Sequence, residues 1–238
     1  IDPWRNHPSR NWDWYFHDFP ITAVDIGAST HAHFDHDALH RLDAHVLLDR
    51  LIGMYRFGDM TIYGLADKHA IDSSCGIYDF RKIHKHINGT DIVPPDNPRS
   101  WDHCLIVVET GGMRIVHWGD NRHNPPADIW KALGDIDIAL LPVDGSQHVM
   151  GYVHTEAIIE RLKPRVVIPH HYYIWDVLQR QSTLQPAEDW VASRKSATKM
   201  RSAKRIYRIK DLDKLDRAVH FFGDHVAFDK DAWMEAGR

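Results

Sequence analysis

A cluster of metal-ligand residue types constrains this chain more than any other feature. The segment H-A-H-F-D-H occupies positions 31–36, directly after an apolar run. With 19 His among 238 residues, chance produces only about 0.01 to 0.02 such matches in a chain of this composition. If the extended backbone persists through His31 and His33, alternation places both imidazoles on one side, where they can bind one cation. Asp35 and His36 follow as the chain turns and are placed to serve a second cation.

Composition narrows the class of protein. With 43% hydrophobic and 26% charged residues, the chain is typical of globular proteins and unlike disordered ones. Its length suits one large domain or two small ones. Two cysteines, Cys75 and Cys104, exclude a disulfide framework and a Cys-rich zinc module. The formal charge of -4 does not indicate nucleic acid or an anionic membrane as partner, and no apolar run is long enough to predict a membrane span.

Short apolar runs rich in Val and Ile predict a series of strands. These strands are predicted at 21–26, 45–48, 60–65, 104–110, 114–118, 136–143 and 165–168. The pair Gly111-Gly112 predicts a hairpin turn. A helix started by proline is predicted at 127–133, and a second one at 156–162 with Thr155 as its cap. A strand-rich first half followed by β-α-β-α-β implies layered sheets with helices packed outside.

The last quarter of the chain has a looser pattern. Residues 176–216 are predicted to form helices joined by polar loops, and 218–222 with 225–228 to form a final hairpin. The stretch 191–210 contains basic residues and no acidic one. Its basic members are Arg194, Lys195, Lys199, Arg201, Lys204, Arg205, Arg208 and Lys210. We interpret them as a solvated face, with a site for an anionic substrate or RNA as the alternative.

The 31–36 segment resembles the principal metal motif of the metallo-β-lactamase-fold hydrolases. This resemblance implies an α/β fold, the four-layered αβ/βα sandwich, with metals at one edge. Ile1-Asp2-Pro3 matches the strand end whose Asp orients the site in such proteins, so the preceding N-terminal strands are expected to be missing from this sequence. The resemblance extends to about residue 176. It implies a metallo-hydrolase core at 1–176 with an insertion at 70–100, and a C-terminal helical and hairpin extension of the same domain at 177–238.

The next ligand in the resembling proteins is a His that closes a strand begun by a Gly-Asp or Gly-Gly turn. The segment from Gly58-Asp59 to His69 has that form, so His69 is our assignment. His84 and His86 are the alternatives, since they lie two residues apart and can also face one way. If His69 is the ligand, these two become candidates for a substrate loop.

Two further segments complete the implied ligand set. Ile115-Val116-His117-Trp118-Gly119-Asp120 resembles the strand-Gly-Asp motif in which one Asp touches both metals, so Asp120 is the bridging residue. His117 is interpreted as a packed residue. The segment Val166 to Tyr172 resembles the closing motif of the branch related to ascorbate-6-phosphate lactonase. That resemblance assigns His171 as a ligand and His170 as a residue that lies beside the ligands without binding metal.

The complete set would place one metal on His31, His33 and His69 and another on Asp35, His36 and His171, with Asp120 between them. Imidazoles and carboxylates without thiolates suit Zn²⁺ and also admit Fe or Mn. Two such ions about 3.5 to 4 Å apart share a water and lower its pKa to about 7. The bridging hydroxide would attack a carbonyl or phosphorus, with Asp35 orienting it.

The sequence therefore predicts a dinuclear metal-dependent hydrolase that cleaves an ester, lactone or phosphoester bond in a small molecule. His123, His148 and His154 are candidates for the general acid. The alternatives are a nuclease acting on RNA, an iron-dependent enzyme like the persulfide dioxygenases, and a metal-holding scaffold without turnover. We expect a small-molecule substrate rather than nucleic acid. A cytoplasmic location is expected because no targeting signal is visible, and the oligomeric state, including a homo-oligomer, is left open.

Overall fold

The computed structural model describes residues 1–6, 15, 19–70, 102–145, 149–174 and 184–223. Within these residues the strands are β1 (Thr22–Ser29), β2 (Leu42–Asp49), β3 (Gly53–Phe57), β4 (Met60–Asp67), β5 (His103–Thr110), β6 (Met113–His117), β7 (Ile138–Pro142), β8 (Val166–His170), β9 (Ala197–Lys199) and β10 (Ala218–Phe221). The helices are α1 (Ala127–Leu133), α2 (Tyr152–Leu162), α3 (Glu188–Ala192) and α4 (Ile209–Leu212). No helix in these ranges is long and apolar enough to cross a bilayer.

Eight strands form one mixed sheet in the order β3-β4-β5-β6-β7-β8-β10-β9, and β1 pairs in parallel with β2 in a second sheet. Neighbouring strands from β3 to β6 are antiparallel, whereas β6, β7, β8, β10 and β9 run parallel to one another. The hairpin between β5 and β6 turns at Gly111 and Gly112, whose φ angles are +57° and +74°. The Gly-Gly prediction is confirmed, because two consecutive residues with positive φ favour glycine.

Strand β5 shows how the layers are packed. Leu105 and Val107 belong to the main core with α1 and α2, whereas Cys104 and Ile106 pack against β1 and β2 on the opposite face. Alternate side chains of one strand therefore enter two cores, as expected for a strand covered on both sides. Trp118 is fully buried in the main core. The α/β sandwich predicted from the sequence is confirmed.

The local structure differs from the predictions in three places. Strand β3 was not predicted, because as an edge strand with largely exposed side chains it lacks a continuous apolar run. Helix α2 begins at Tyr152 after extended Gly151, so Thr155 lies inside the helix and its hydroxyl donates to the carbonyl of Pro142 at 3.0 Å. The tail contains β9, a strand of three residues that only its pairing with β10 makes recognisable.

The C-terminal part joins the large sheet through β10, which pairs in parallel with both β8 and β9. The predicted strand at 218–222 is therefore present as Ala218–Phe221. Its predicted hairpin partner at 225–228 lies outside the described residues, as does the insertion at 71–100. Leu212 of α4 packs on Ile138 and Val166, so the tail covers part of the sheet. The domain limits at 176 and 177 remain a prediction.

Candidate metal centre

Strand β1 ends at Ser29, so His31 and His33 lie in a loop and not in a continued strand. This corrects the extended geometry expected from their spacing. The strand ends here because the carboxylate of Asp2 accepts hydrogen bonds from the Thr30 amide at 2.7 Å and the Thr30 hydroxyl at 2.8 Å. The two imidazoles still face each other, with His31 Nε2 at 3.1 Å from His33 Nδ1.

Asp2 also reaches the second half of the motif. Its Oδ2 lies 3.0 Å from Nδ1 of His36, so one carboxylate orients both ends of the loop. Burial would raise the pKa of Asp2, but the hydrogen bond and charge of His36 outweigh burial and lower it. Asp2 is therefore an ionised acceptor that holds the opposite ring nitrogen of His36 toward the cluster. Carboxylates commonly hold metal-binding histidines in this way.

Two groups of ligand atoms form at the same end of the fold. His31, His33, His69 and Asp120 have ligand atoms within 4.8 Å of one another. Asp35, His36 and His171 form a second such group. His171 follows β8 directly and has a left-handed backbone, with φ of +55°. A residue other than glycine adopts this conformation only when its surroundings impose it, which is frequent in functional sites.

Oδ2 of Asp120 lies between the two groups. It is 3.4 Å from Nε2 of His36, 3.4 Å from that of His69, 3.4 Å from that of His171 and 3.7 Å from that of His31. These separations exceed good hydrogen-bond lengths. Two ligands bound 2.0–2.1 Å from one tetrahedral zinc are themselves about 3.3 to 3.4 Å apart. The spacing thus fits atoms that share cations better than atoms that bond directly.

The position of Asp120 depends on the glycine before it. Gly119 has a φ of +53°, and a Cβ there would lie 2.7 Å from both His103 Nε2 and Thr30 Oγ1. A side chain would therefore push apart the loop with the histidines and the start of β5. The close approach lets the Asp120 amide donate to His103 Nε2 at 3.1 Å. Glycine is required at position 119 because His103 and Thr30 leave no room for a Cβ.

His69 is brought to Asp120 by backbone pairing. His69 forms an isolated bridge with Asn121, and the Ala70 amide donates to the carbonyl of Asp120 at 2.7 Å. The His69 amide donates to Asp102 Oδ1 at 3.0 Å. His84 and His86, the alternatives for this ligand position, lie outside the described residues. His69 lies in the first ligand group, with His31, His33 and Asp120.

The remaining predicted residues fall into pairs around the centre. His170 stacks on His117, with ring centroids 4.8 Å apart, and His117 Nδ1 accepts from the Gly119 amide at 3.2 Å. His123 and His154 stack on each other at 4.0 Å and belong to neither ligand group. His148 lies outside the described residues. The interpretation of His117 as a packed residue agrees with its contacts.

Two buried residues beside the centre, His103 and Asp144, are not among the residues predicted from the sequence. His103, at the start of β5, contacts the His31 ring at 5.1 Å and accepts from the Asp120 amide. Asp144 accepts from the amides of Val149 and Met150 and lies 3.8 Å from His171 Nδ1. Burial raises the pKa of Asp144. A histidine at the start of a largely apolar strand and an aspartate directly after the apolar run at 138–143 were the available signals.

The protonation states of His31, His33, Asp35 and Asp120 suit cation binding, whereas Asp120 and Asp35 raise the pKa of His36 in spite of burial, so His36 must lose a proton when a cation binds. Burial, followed by the charges of neighbouring histidines, lowers the pKa of His31 and brings that of His33 to about 3. Burial opposes ionisation of Asp35 and Asp120, yet nearby imidazolium charges lower the pKa of both, that of Asp35 to about 2. Neutral imidazoles and ionised carboxylates are the forms that bind metals. Among the described residues, Asp120 Oδ1 is buried without a hydrogen-bond partner.

We expect Asp2→Asn to weaken metal binding about 10- to 100-fold, the usual effect of removing a partner that orients a ligand. The amide has no charge to hold His36 and can present a donor to the Thr30 amide. Titration with Zn²⁺ against a competing chelator measures the affinity. Asp25→Asn, on the exposed face of β1, is the matched control. Equal affinities in the two variants would show that Asp2 does not act on the metals.

A family of known proteins matches most of this chain. Residues 1–171 match the Beta-lactamase superfamily domain. A UPF0173 metal-dependent hydrolase of Thermococcus onnurineus is 40% identical over 73 residues, which span 30% of this chain and 32% of the relative. One of Thermococcus kodakarensis is 29% identical over 164 residues, spanning 64% of this chain and 68% of the relative. The aligned part of the chain thus covers only about a third of the first relative's length.

A solved structure of a metallo-beta-lactamase superfamily protein from Thermotoga maritima shares the fold. It has a TM-score of 0.57 at 19% identity, and the match covers 85% of this chain and 84% of that one. At this identity the likeness concerns the fold alone. The family match extends over more than half of the residues and includes every residue of the two ligand groups. The chain belongs to the beta-lactamase superfamily domain family.

Proposed function

We propose that the protein is a dinuclear metal-dependent hydrolase that cleaves an ester, lactone or phosphoester bond in a small molecule. The observation that supports it most is the position of Asp120 Oδ2, within 3.4 to 3.7 Å of imidazole nitrogens from both ligand groups. One carboxylate oxygen facing both groups is the arrangement that two adjacent cations need. The names of the Thermococcus relatives, metal-dependent hydrolases, point the same way.

The residues present fit two divalent ions. His31, His33 and His69 would hold one ion, and Asp35, His36 and His171 the other, with Asp120 shared. The donor set contains nitrogen and oxygen atoms and no thiolate, which suits Zn²⁺ and admits Fe or Mn. When bound, such a pair supplies a water of pKa near 7 and polarises the substrate oxygen.

The protein's own groups would prepare the attack. Asp35 Oδ2 lies 3.5 Å from His36 Nε2, at the edge of the cluster, and is ionised. Its carboxylate can accept a hydrogen bond from the attacking water and direct a lone pair toward the substrate. Asp2, His103 and Asp144 hold the ligands in place through contacts with His36, Asp120 and His171. This rigidity keeps the donors preorganised during the reaction.

Two features of the chain bear on the class of substrate. The closing segment Val166 to Tyr172 resembles that of the lactonase branch, which favours an ester or lactone over a phosphodiester. The basic residues between 194 and 210 favour the RNA alternative. Most of them are exposed, but Arg194 is paired with Glu156. We therefore propose a small-molecule ester or lactone and treat RNA as an outcome of the test.

We expect about two equivalents of transition metal per chain after purification without chelators. Inductively coupled plasma mass spectrometry measures the content. Hydrolysis of p-nitrophenyl acetate, a γ-lactone and bis(p-nitrophenyl) phosphate then compares the bond types. Activity on an RNA substrate, falling steeply with salt, would replace the small-molecule proposal by a nuclease. A chain that takes up no more than one ion when supplied with excess Zn²⁺ would overturn the dinuclear proposal.

A further inference from the structure

A buried carboxylate links the two segments that carry His69 and Asp120. Asp67 is the last residue of β4, and none of its side chain is exposed. Its Oδ2 accepts from Nδ2 of Asn121 at 2.8 Å, and its Oδ1 accepts from Nε of Arg122 at 2.9 Å and also from Nη2. Asp67 belongs to neither ligand group. Both of its oxygens nonetheless hold the two residues that directly follow Asp120.

The backbones of the same two segments are also paired. The Arg122 amide donates to the carbonyl of Lys68 at 3.0 Å, and the Ala70 amide donates to the carbonyl of Asp120 at 2.7 Å. The ligand His69 lies between these two hydrogen bonds in the sequence, and its Nε2 is 3.4 Å from Oδ2 of Asp120. A displacement of either segment therefore changes the separation of these two ligand atoms.

Asp67 is attached to the large sheet, which gives it a fixed position. Strand β4 lies between β3 and β5, and Asp67 is the register partner of His103 at the start of β5. His103 itself accepts a hydrogen bond from the Asp120 amide at 3.1 Å. Two neighbouring strand ends therefore contact residues 120–122. The sheet thus supplies the base from which Asp67 can orient the loop that carries Asp120.

The ion pair between Asp67 and Arg122 is better suited to fixing a position than to raising stability. The carboxylate is completely buried, whereas 22% of the Arg122 side chain is exposed. Burying charges is costly, and a well-packed apolar pair of similar size often gives equal or greater stability. Charge-assisted hydrogen bonds add direction, because each nitrogen must point at an oxygen. The pair therefore specifies one arrangement of the loop.

We propose that Asp67 is a positioning residue, whose carboxylate acts through Asn121 and Arg122 to set the separation of His69 from Asp120. The inference rests on the proposed function, because it concerns the metal site to which both of these ligands belong. Loss of the carboxylate would let the loop that carries Asp120 move relative to His69. The ion at this site would then be bound more weakly, and the ion at the other ligand group would be affected less.

The test is Asp67→Asn, which keeps the size of the side chain and removes the charge that pairs with Arg122. We expect the affinity for one of the two Zn²⁺ ions, titrated against a competing chelator, to fall about 10- to 100-fold, the usual effect of losing a group that orients a ligand. The visible spectrum of the Co²⁺-loaded protein should shift. The kcat for p-nitrophenyl acetate should fall with KM nearly unchanged, because Asp67 does not contact the substrate.

Asp137→Asn is the matched control, because it removes a similar pair at a distance from the metal centre. Asp137 accepts from the Arg114 amide at 2.8 Å and forms an ion pair with Arg165 at 3.2 Å. It directly precedes β7, whereas His171 follows β8 at the opposite end of these two parallel strands. Both variants should lower Tm, because each loses an ion pair. Only Asp67→Asn should change the metal affinity and the Co²⁺ spectrum.

A second variant keeps the test decisive if Asp67→Asn does not fold. The double variant Asp67→Asn/Arg122→Gln contains no unpaired charge at this position, and it should show the same weakened metal binding. If the folded variant binds both Zn²⁺ ions as the unmodified protein does and keeps its Co²⁺ spectrum, Asp67 serves stability alone and the proposal is overturned. An equal loss of affinity in Asp137→Asn would also overturn it, because general destabilisation would then explain the effect.

The two proposals fail in different ways. Metal affinity and the Co²⁺ spectrum are measured without a substrate, so they test Asp67 independently of hydrolysis. A metal-loaded protein that hydrolyses none of the test substrates would overturn the proposed function alone. Unchanged metal binding in Asp67→Asn, when the unmodified protein hydrolyses esters, would overturn only the role of Asp67. An unmodified protein that binds neither Zn²⁺ nor Co²⁺ would overturn both.

Discussion

Replacing Asp120 with Asn is expected to lower kcat/KM by about 10³-fold or more. Its Oδ2 lies 3.4 to 3.7 Å from imidazole nitrogens of both ligand groups. The substitution keeps the size of the side chain and removes the charge that a shared position between two cations requires. Loss of several kcal/mol of transition-state stabilisation, at a factor of ten for every 1.36 kcal/mol, gives this magnitude.

The prediction is tested by kinetics together with metal analysis. We expect the bound metal to fall from about two ions per chain to about one, since His31, His33 and His69 still form a three-nitrogen site. Asp128→Asn is the matched control because Asp128 is exposed in the first turn of α1. If Asp120→Asn retained two ions and more than about a tenth of the activity, another group would have to bridge the metals.

The ligand residues could be predicted because they occupy loops at one end of the fold. Asp120 follows β6 and His171 follows β8, and these strands run in the same direction on either side of β7. The ends of parallel strands meet at one edge of a sheet, so their following residues converge. The motif at 31–36 and the family resemblance predicted the ligand set, and the parallel order of β6, β7 and β8 agrees with Asp120 and His171 meeting at one edge of the sheet.

The residues that hold the ligands could not be found in this way. His103 begins β5, which runs antiparallel to β6, and it reaches Asp120 only because Gly119 allows the two to approach. The Asp144 carboxylate is held in place because it accepts hydrogen bonds from the amides of Val149 and Met150, which follow it in the next loop. His103 and Asp120 are 17 residues apart in the sequence, and Asp144 and His171 are 27 residues apart. Both contacts therefore depend on how the chain folds. Local patterns carry no information about such contacts.

The choice between His69 and the pair His84 and His86 illustrates a second limit. Each candidate satisfies the spacing expected of a ligand, since the alternation of side chains holds for any extended segment. The structure brings His69 to the cluster through its bridge to Asn121, the residue after Asp120, whereas His84 and His86 lie outside the described residues. That pairing is a long-range event that the sequence does not encode in a recognisable motif. We accordingly propose His69 on geometry and not on its motif.

Removing the metals is expected to abolish hydrolysis and to lower Tm. Asp2, Asp35 and Asp120 are buried and ionised around the cluster, whereas burial lowers the pKa of His31 and His33. Without cations, part of the negative charge is balanced by His36, whose pKa Asp120 and Asp35 raise in spite of burial. Incompletely balanced buried charges are destabilising, so the metal-free fold should be less stable.

The size of the effect follows from linkage. A ligand present at 1,000 times its Kd stabilises the folded state by about 4.1 kcal/mol, and each kcal/mol shifts Tm by about 2 to 4 °C in a chain of this size. Dialysis against a chelator should therefore lower Tm by about 8 to 16 °C, as followed by circular dichroism. Adding Zn²⁺ should restore both Tm and activity, whereas Mg²⁺, which prefers oxygen ligands, should restore neither. A fully chelated protein that kept its activity would show that the cluster performs hydrolysis without metal, and the assignment of these histidines and aspartates as ligands would then be wrong.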